Sequence, residues 1–554
     1  MRNPLAASVP AFAVFSVQSL LNPVHAQVAP PDAGQIRQQL QQAVPAAPAE
    51  APVLKWAAPV QAPVATGGPT VILQAVVIEG NTVLPTERLQ ALLADAHGKS
   101  LDLAGLRGLA NRITRAYHKA GYAYAQALLP AQTMDHGELH ILVLEGRYGK
   151  VTITGPRAAS AQSWLSVLQP GTVIATDPLQ RRLDMLAQLP GVSIDPVLDP
   201  GANTGEGDLT VNVDLTRRLG GSVTLDDDGN RYTGQERASA SLFGNSLLLF
   251  GDHASLDALA SNEHLYLGAF GYDAALGTSG LRGEAHVSRS TYALGADFES
   301  LDAHGLSDTV SAGLSFPLLR SKTANVTLGT LFQHAYLHDD VDSAGTRSNA
   351  RTNSIPVSLH FDERDTLLST PGLSYGAFTW TPGRLSLDPG QVVADATTAR
   401  TAGRYDKLNL DLSRLQSLTS AVSLYARLAA QWSSKNLNSS ERFGLGGQAG
   451  VRAYPLGEGY GDEGWVLQTE ARGTIGVTAP YVFYDMGRVT INRTPWMPGG
   501  DSRLLSGAGF GLRATAWRHW NAELSLAFRT DGGRPQSDTR DLFPVVHASL
   551  NCTF

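Results

Sequence analysis

A transmembrane β-barrel of about sixteen antiparallel strands, preceded by two small α+β modules, is the fold class that this sequence predicts. Three observations predict it. From about Thr216 onward, apolar and polar residues alternate almost everywhere. Glycine is abundant, at 56 residues, and no stretch after residue 26 approaches the eighteen or more apolar residues of a spanning helix. Ahead of Thr216, two successive segments each mix strand and helix periodicities.

Taken in order, residues 1–26 carry Arg2, a mildly apolar run over 5–21, and Val24-His25-Ala26 before Gln27. This predicts an export signal cut after Ala26. Residues 27–70 are rich in Ala, Pro, Gln and Val, with a short helical pattern at 35–40 and an extended Pro-rich linker over 44–70. Composition alone allows an unstructured segment there as well.

Residues 71–147 predict the first module: a strand at 71–78, helices at 85–94 and 103–120, and strands at 122–128 and 139–145. Leu103, Leu106, Leu109, Ala110, Ile113 and Tyr117 form the apolar stripe of the second helix. Residues 148–215 repeat the pattern in diverged form, with a strand at 151–153, helices at 161–168 and from Thr176, and a strand at 208–215. Pro178 suits a first helical turn.

Residues 216–554 supply the barrel. Val422, Leu424, Ala426, Leu428 and Ala430 interleave with Ser423, Tyr425, Arg427, Ala429 and Gln431, and the pattern recurs at 281–288, 408–413 and 522–529. The apolar faces are light, no long helix accompanies them, and 546–554 alternates up to an aromatic Phe554. In lipid the sheet must close on itself. At roughly 21 residues per strand and connection, this length gives about sixteen strands, and the arithmetic admits fourteen or eighteen.

Net charge is −7, with 43 Lys+Arg against 50 Asp+Glu, which offers no footprint for nucleic acid. A lone Cys552 excludes a disulfide framework and a Cys-rich metal site. Gly372-Leu373-Ser374-Tyr375-Gly376 fits a nucleophile-elbow pattern, but its flanks read as turn and strand rather than strand and helix. The sequence 507–511, GAGFG, lacks the following helix of a dinucleotide site. The reading is of a non-enzyme with no cofactor and no metal. Asp226-Asp227-Asp228 has the wrong ligand spacing for an EF-hand and reads as a solvated turn.

The stretch 446–464, GGQAGVRAYPLGEGYGDEG, places one arginine between glycine-rich flanks. It is followed by Tyr481-Val482-Phe483-Tyr484-Asp485, whose alternation puts Tyr481, Phe483 and Asp485 on one strand face. A loop arginine followed by an inward aspartate predicts a loop folded back into the barrel, with the guanidinium gripping the carboxylate at two points. In a wet lumen, solvent would soften the cost of breaking that pair.

This pairing resembles the two-partner secretion transporters of the outer membrane, the haemolysin/filamentous-haemagglutinin secretion family, where a Val-Arg-Gly-Tyr loop motif and a Phe-x-Asp strand motif occur together. GNTVLP at 80–85, YHKAGYAYAQALLP at 117–130 and LVLEG at 142–146 resemble the family's first POTRA domain. The opening turn 225–234 resembles its first barrel strand.

The resemblance implies POTRA domains at 71–147 and 148–215 in the periplasm of a Gram-negative cell, a sixteen-stranded barrel at 216–554, and a plug helix within 27–70. It further implies a gating motif at Val451, Arg452, Ala453, Tyr454 and Pro455, with Phe483 and Asp485 as wall partners. Here Ala453 stands where the family usually has glycine and Pro455 follows Tyr454, so a stiffer tip is expected. The implied partners are outer-membrane lipid and a secreted exoprotein, an adhesin, haemolysin or contact-dependent inhibition toxin, threaded through the pore unfolded. An Omp85-type assembly factor for other barrels is the alternative, and a simple porin leaves 71–215 without a purpose.

Overall fold

The computed structural model describes residues 30–42, 44–48, 55–56, 67–496, 501–516 and 519–554. The expected export signal and much of 49–66 lie outside them.

In the first module, the strand Ala75–Glu79 runs parallel to Glu138–Leu144, which also pairs with Gln126–Leu128. Helices Thr86–Ala91 and Leu103–Lys119 complete it. The apolar run at 71–78 is split, because Val71–Ile72 pairs with Ser100–Leu101 instead of entering the main sheet. The long helix starts at Asp102, whose carboxylate accepts from the Gly105 amide at 2.8 Å. It buries Leu106, Leu109, Ala110, Ile113 and Tyr117, while Leu103, in its first turn, stays exposed.

The three stretches that carried the POTRA resemblance meet at one carboxylate. Glu145 accepts from the Thr82 amide and hydroxyl, from the Val83 amide at 2.8 Å and from the Tyr117 hydroxyl at 3.0 Å. Burial alone would raise its carboxyl, but these bonds hold it below its ordinary value. Gly80 has φ +82°, and a Cβ there would lie 2.4 Å from the Val143 carbonyl. The turn and the strand end are thus matched to each other.

The second module contains helices Ala158–Leu165 and Thr176–Ala187 over strands Arg147–Thr154, Val192–Pro200 and Glu206–Leu215. The strand Val192–Pro200 goes unread in the sequence because Pro196 and Pro200 argue against one. Proline is tolerated at a sheet edge, where its missing N–H is not needed. This module meets the barrel directly: Phe250 packs against its core and Arg182 Nη1 donates to the Thr278 carbonyl at 3.1 Å.

The barrel opens with Leu219–Asp226 and closes with Val545–Thr553 through five residue pairs, Ser222–Asp226 against Ser549–Thr553. Seventeen segments take part, but Thr346–Ser354 and Val357–Asp365 lie end to end between the same two neighbours, so the barrel has sixteen staves. The interruption falls at Ile355-Pro356, where proline has no N–H for the ladder. Apolar residues such as Leu256, Phe270, Val310 and Phe332 face outward. The stretch 372–376 opens the strand Gly372–Leu387, so strand and not helix follows it directly, and the next helix, Pro389–Thr397, starts only after Leu387.

The acidic triplet is not a solvated turn. Asp226 pairs with Arg237 at 2.7 Å, Asp227 accepts from the Ala548 amide at 2.8 Å, and Asp228 lies 3.2 Å from His547 Nδ1. Two of the three carboxylates therefore tie the first strand's turn to the last strand.

Candidate functional site

The connection 434–462, between strands Val422–Ser433 and Glu463–Gly473, returns into the barrel. Its tip is a tight turn in which the Tyr454 amide donates to the Val451 carbonyl at 3.0 Å and the Gly447 amide to the Tyr454 carbonyl at 3.0 Å. Val451, Arg452, Ala453 and Tyr454 are buried and Pro455 is half-buried. Ala453 is not among the non-glycine residues with positive φ, so alanine serves here without strain.

Arg452 grips Asp485 at two points, Nε to Oδ2 at 2.8 Å and Nη2 to Oδ1 at 2.7 Å, and its own amide adds a third bond at 3.1 Å. Its Nη1 donates to Glu470 Oε1 at 2.6 Å, and the guanidinium lies 3.7 Å from the centre of the Phe483 ring. Tyr481, Phe483 and Asp485 point inward and Val482 and Tyr484 outward, as their alternation predicts. Arg452 is 3% exposed and Asp485 0%. The wet pair expected from the sequence is a dry one, because the loop tip and the Phe483 ring exclude solvent from it.

Sequence reading missed Glu470 and His547. Glu470 also receives Arg472 Nε at 2.7 Å and Arg513 Nη1 at 3.0 Å, and Arg513 reaches Glu523 at 3.1 Å. Three arginines thus meet three carboxylates, and the balanced charge is what makes their burial tolerable. His547, on the closing strand, donates from Nε2 to the Arg452 carbonyl at 2.8 Å. The Tyr454 hydroxyl reaches the carbonyls of Asp531 and Gly533 at 2.8 and 2.9 Å.

The wall has been thinned to admit this tip. Gly507, Gly509 and Gly511 pair with Asp485, Phe483 and Tyr481 on the adjacent strand. A Cβ at each would come within 2.4 Å of Ala453 Cβ, Phe483 Cζ and Tyr481 Cζ respectively. The GAGFG run is therefore a groove for the loop and two rings.

A second element shares the interior. Helix Ala33–Gln41 is capped by Asp32. Its Ala33 amide donates to Asp339 Oδ1 at 2.6 Å, Arg37 Nη1 reaches Glu441 at 3.4 Å, and Tyr460 donates to Gln38 Oε1. Ile36 packs with Tyr232, Leu265 and Tyr292.

With the loop, its grip and two modules established, comparison with known proteins decides between the readings. Residues 205–514 match the family model described as haemolysin secretion/activation protein ShlB/FhaC/HecB. The chain belongs to that family. Residues 71–146 match the POTRA domain of ShlB type. The heme/hemopexin transporter protein HuxB of Haemophilus influenzae is 28% identical over 419 residues, covering 74% of each chain. The outer membrane transporter CdiB of Escherichia coli is 24% identical over 481 residues, 82% of this chain and 79% of that one. The solved structure of CdiB from Escherichia coli aligns with a TM-score of 0.72 at 21% identity, covering 90% of this chain and 93% of that one, and shows the same fold. As a member of the haemolysin secretion/activation family, the chain is an outer-membrane transporter with its POTRA modules on the periplasmic side. The family match favours secretion over the assembly-factor alternative.

Proposed function

We propose that the chain works as follows. Residues 71–147 and 148–215 receive an unfolded secreted exoprotein in the periplasm, and the barrel at 216–554 exports it. The helix and linker of 27–70 stop the pore at rest. Val451, Arg452, Ala453, Tyr454 and Pro455, held by Phe483 and Asp485, keep the inward loop in register with the wall. The cargo is an adhesin, a haemolysin or a contact-dependent inhibition toxin. The apolar outer face takes outer-membrane lipid, and nucleic acid has no role.

The observation that carries this reading is the buried three-bond hold of Asp485 on Arg452 within a barrel whose mouth abuts a POTRA module. A charged cluster of this kind fixes a loop rather than performing chemistry, so the protein is a conduit and not a catalyst. A nucleotide motif is absent from the sequence, and folding of the cargo outside the cell supplies the drive.

Co-expression with a large secreted protein, sought among the neighbouring genes, tests the reading. Cargo is expected in the medium only with the intact chain, and deletion of 71–146 is expected to abolish export while the barrel stays inserted. Equal export without this chain overturns the proposal.

A further inference from the structure

The second POTRA sheet has a strand that does not belong to the module. Lys55–Trp56, from the segment joining the interior helix to the first module, pairs in parallel with Val192–Pro200, Lys55 opposite Val197 and Trp56 opposite Leu198. The sheet order is therefore Lys55–Trp56, Val192–Pro200, Glu206–Leu215, Arg147–Thr154. The chain covers its own sheet edge.

That edge is unusual in its donors. The hairpin of Val192–Pro200 with Glu206–Leu215 is bonded at both ends, Thr216 N to Gly191 O and Gly201 N to Glu206 O, each at 2.9 Å. In an antiparallel pair the bonded residues alternate. Odd-numbered residues from 191 to 201 thus bond inward to Glu206–Leu215, and even-numbered ones face the outer edge. Pro196 and Pro200 fall on that outer edge and have no N–H, so Leu198 is the one donor between them. Prolines at an edge block indiscriminate strand pairing. Between the two prolines a narrow window centred on Leu198 remains, and the linker occupies it.

We infer that the window at Val197–Asp199 is a docking place for an extended segment of the secreted chain, and that Lys55–Trp56 closes it in the resting protein. This rests on the translocator reading above. The module with the window lies against the barrel mouth, and strand addition recognises any backbone with free donors and acceptors, which suits an unfolded cargo. The covering strand is tethered to the interior helix through residues 42–54, at most about 45 Å of extended chain. Pro48 of that tether accepts from Arg364 Nη2 at 3.0 Å, beside the periplasmic end of its strand. A cargo strand that displaces Lys55–Trp56 also frees the tether of the helix, so docking and unstopping become one event.

The test uses the full-length protein in detergent with Cys552→Ser as background. The probe is a fluorescein-labelled peptide of residues 51–60. Lys55→Pro, which disables the linker and leaves the module untouched, is expected to bind the probe at least tenfold more tightly than the unaltered chain. Methylation of the probe's Lys55 amide nitrogen is expected to abolish binding. Equal binding by the two proteins, or by the two probes, overturns self-occupancy of the window.

In cells, an oxidised Lys55→Cys/Val197→Cys protein is expected to export co-expressed cargo at least tenfold less than either single variant. Equal export overturns the cargo's use of the window. Failure of the unaltered chain to export would instead remove the translocator reading, on which the peptide measurements do not depend.

Discussion

The inward loop and the interior helix occupy the same barrel and are held there by different chemistry. The loop tip is bonded at side chain and backbone to four strands, through Glu470, Asp485, Asp531 and His547. The helix is held by a few polar contacts, and Arg37 Nε and Gln39 Nε2 are buried without a hydrogen-bond partner among the described residues. Unmet buried donors cost free energy that a departing helix recovers in water. The contrast teaches that burial alone does not make an element permanent. Satisfied donors and matched charge hold the loop more firmly than the helix, which supports the proposed roles of the loop as a fixture and the helix as a stopper.

The largest effect expected is from Arg452→Ala. It leaves Asp485 without its cation in a dry site, whereas Glu470 keeps Arg472 and Arg513. Loss of one partner from such a pair costs about 3–5 kcal/mol. Limited proteolysis should show cleavage within 446–464, with export lost and the barrel still inserted. Arg452→Lys, which keeps charge without the two-point grip, should fall between. A protected loop in Arg452→Ala would erase the distinction between fixture and stopper.

Next in size is Gly507→Ala, whose added Cβ meets Ala453 Cβ at 2.4 Å. Overpacking of this kind costs about 1–3 kcal/mol. Ala453→Gly in the same chain should restore thermal stability, since it removes the other methyl group. Failure of that rescue would mean that the loop does not lie in the glycine groove.

A carboxylate outside the membrane calibrates the buried ones. The folded value of Glu145 is depressed, so its contribution is complete above the unfolded carboxylate's pKa of about 4.3 and is lost as pH falls through the folded value. Protection factors of the Thr82 and Val83 amides, with the intrinsic pH dependence of exchange divided out, should be constant at neutral pH and fall below that range. Glu145→Gln should weaken the turn by about 1–3 kcal/mol.

The smallest change in stability is expected from Arg37→Ala. Glu441 retains Lys407 at 2.7 Å, so its charge stays paired and the loss falls below that of Arg452→Ala. Conductance in planar bilayers should nonetheless rise, because the helix is less firmly held. Unchanged conductance would place the helix with the fixtures.

Arg452 and Asp485 were legible because glycine flanks isolate the arginine and strict alternation aims the aspartate. Glu470 and His547 were not. Lumen-facing charges look alike in sequence, and which of them meet depends on the register of strands far apart in the chain. Gly507, Gly509 and Gly511 did carry a signal, since alternate glycines on a strand mark one face as bare, but which side chains fill that face is again a matter of register. The two modules were readable from helical stripes and from the GNTVLP and LVLEG stretches that meet at Glu145. Val192–Pro200 was hidden by the same prolines that make it an edge. The solvated reading of Asp226 to Asp228 failed because the partners of Asp227 and Asp228 come from the opposite end of the chain.

The cylinder is joined between its first and last staves, and the connection 434–462 is synthesised ahead of five of them. A tip carrying Arg452 that docks before the first and last staves pair is not threaded through a finished ring. It can lie on an open, curling sheet while the remaining staves wrap around it, and His547 reaches the Arg452 carbonyl only when the last stave arrives. The closing stave thus also closes over the loop, and a chain ending before residue 547 would leave the Arg452 carbonyl without that donor.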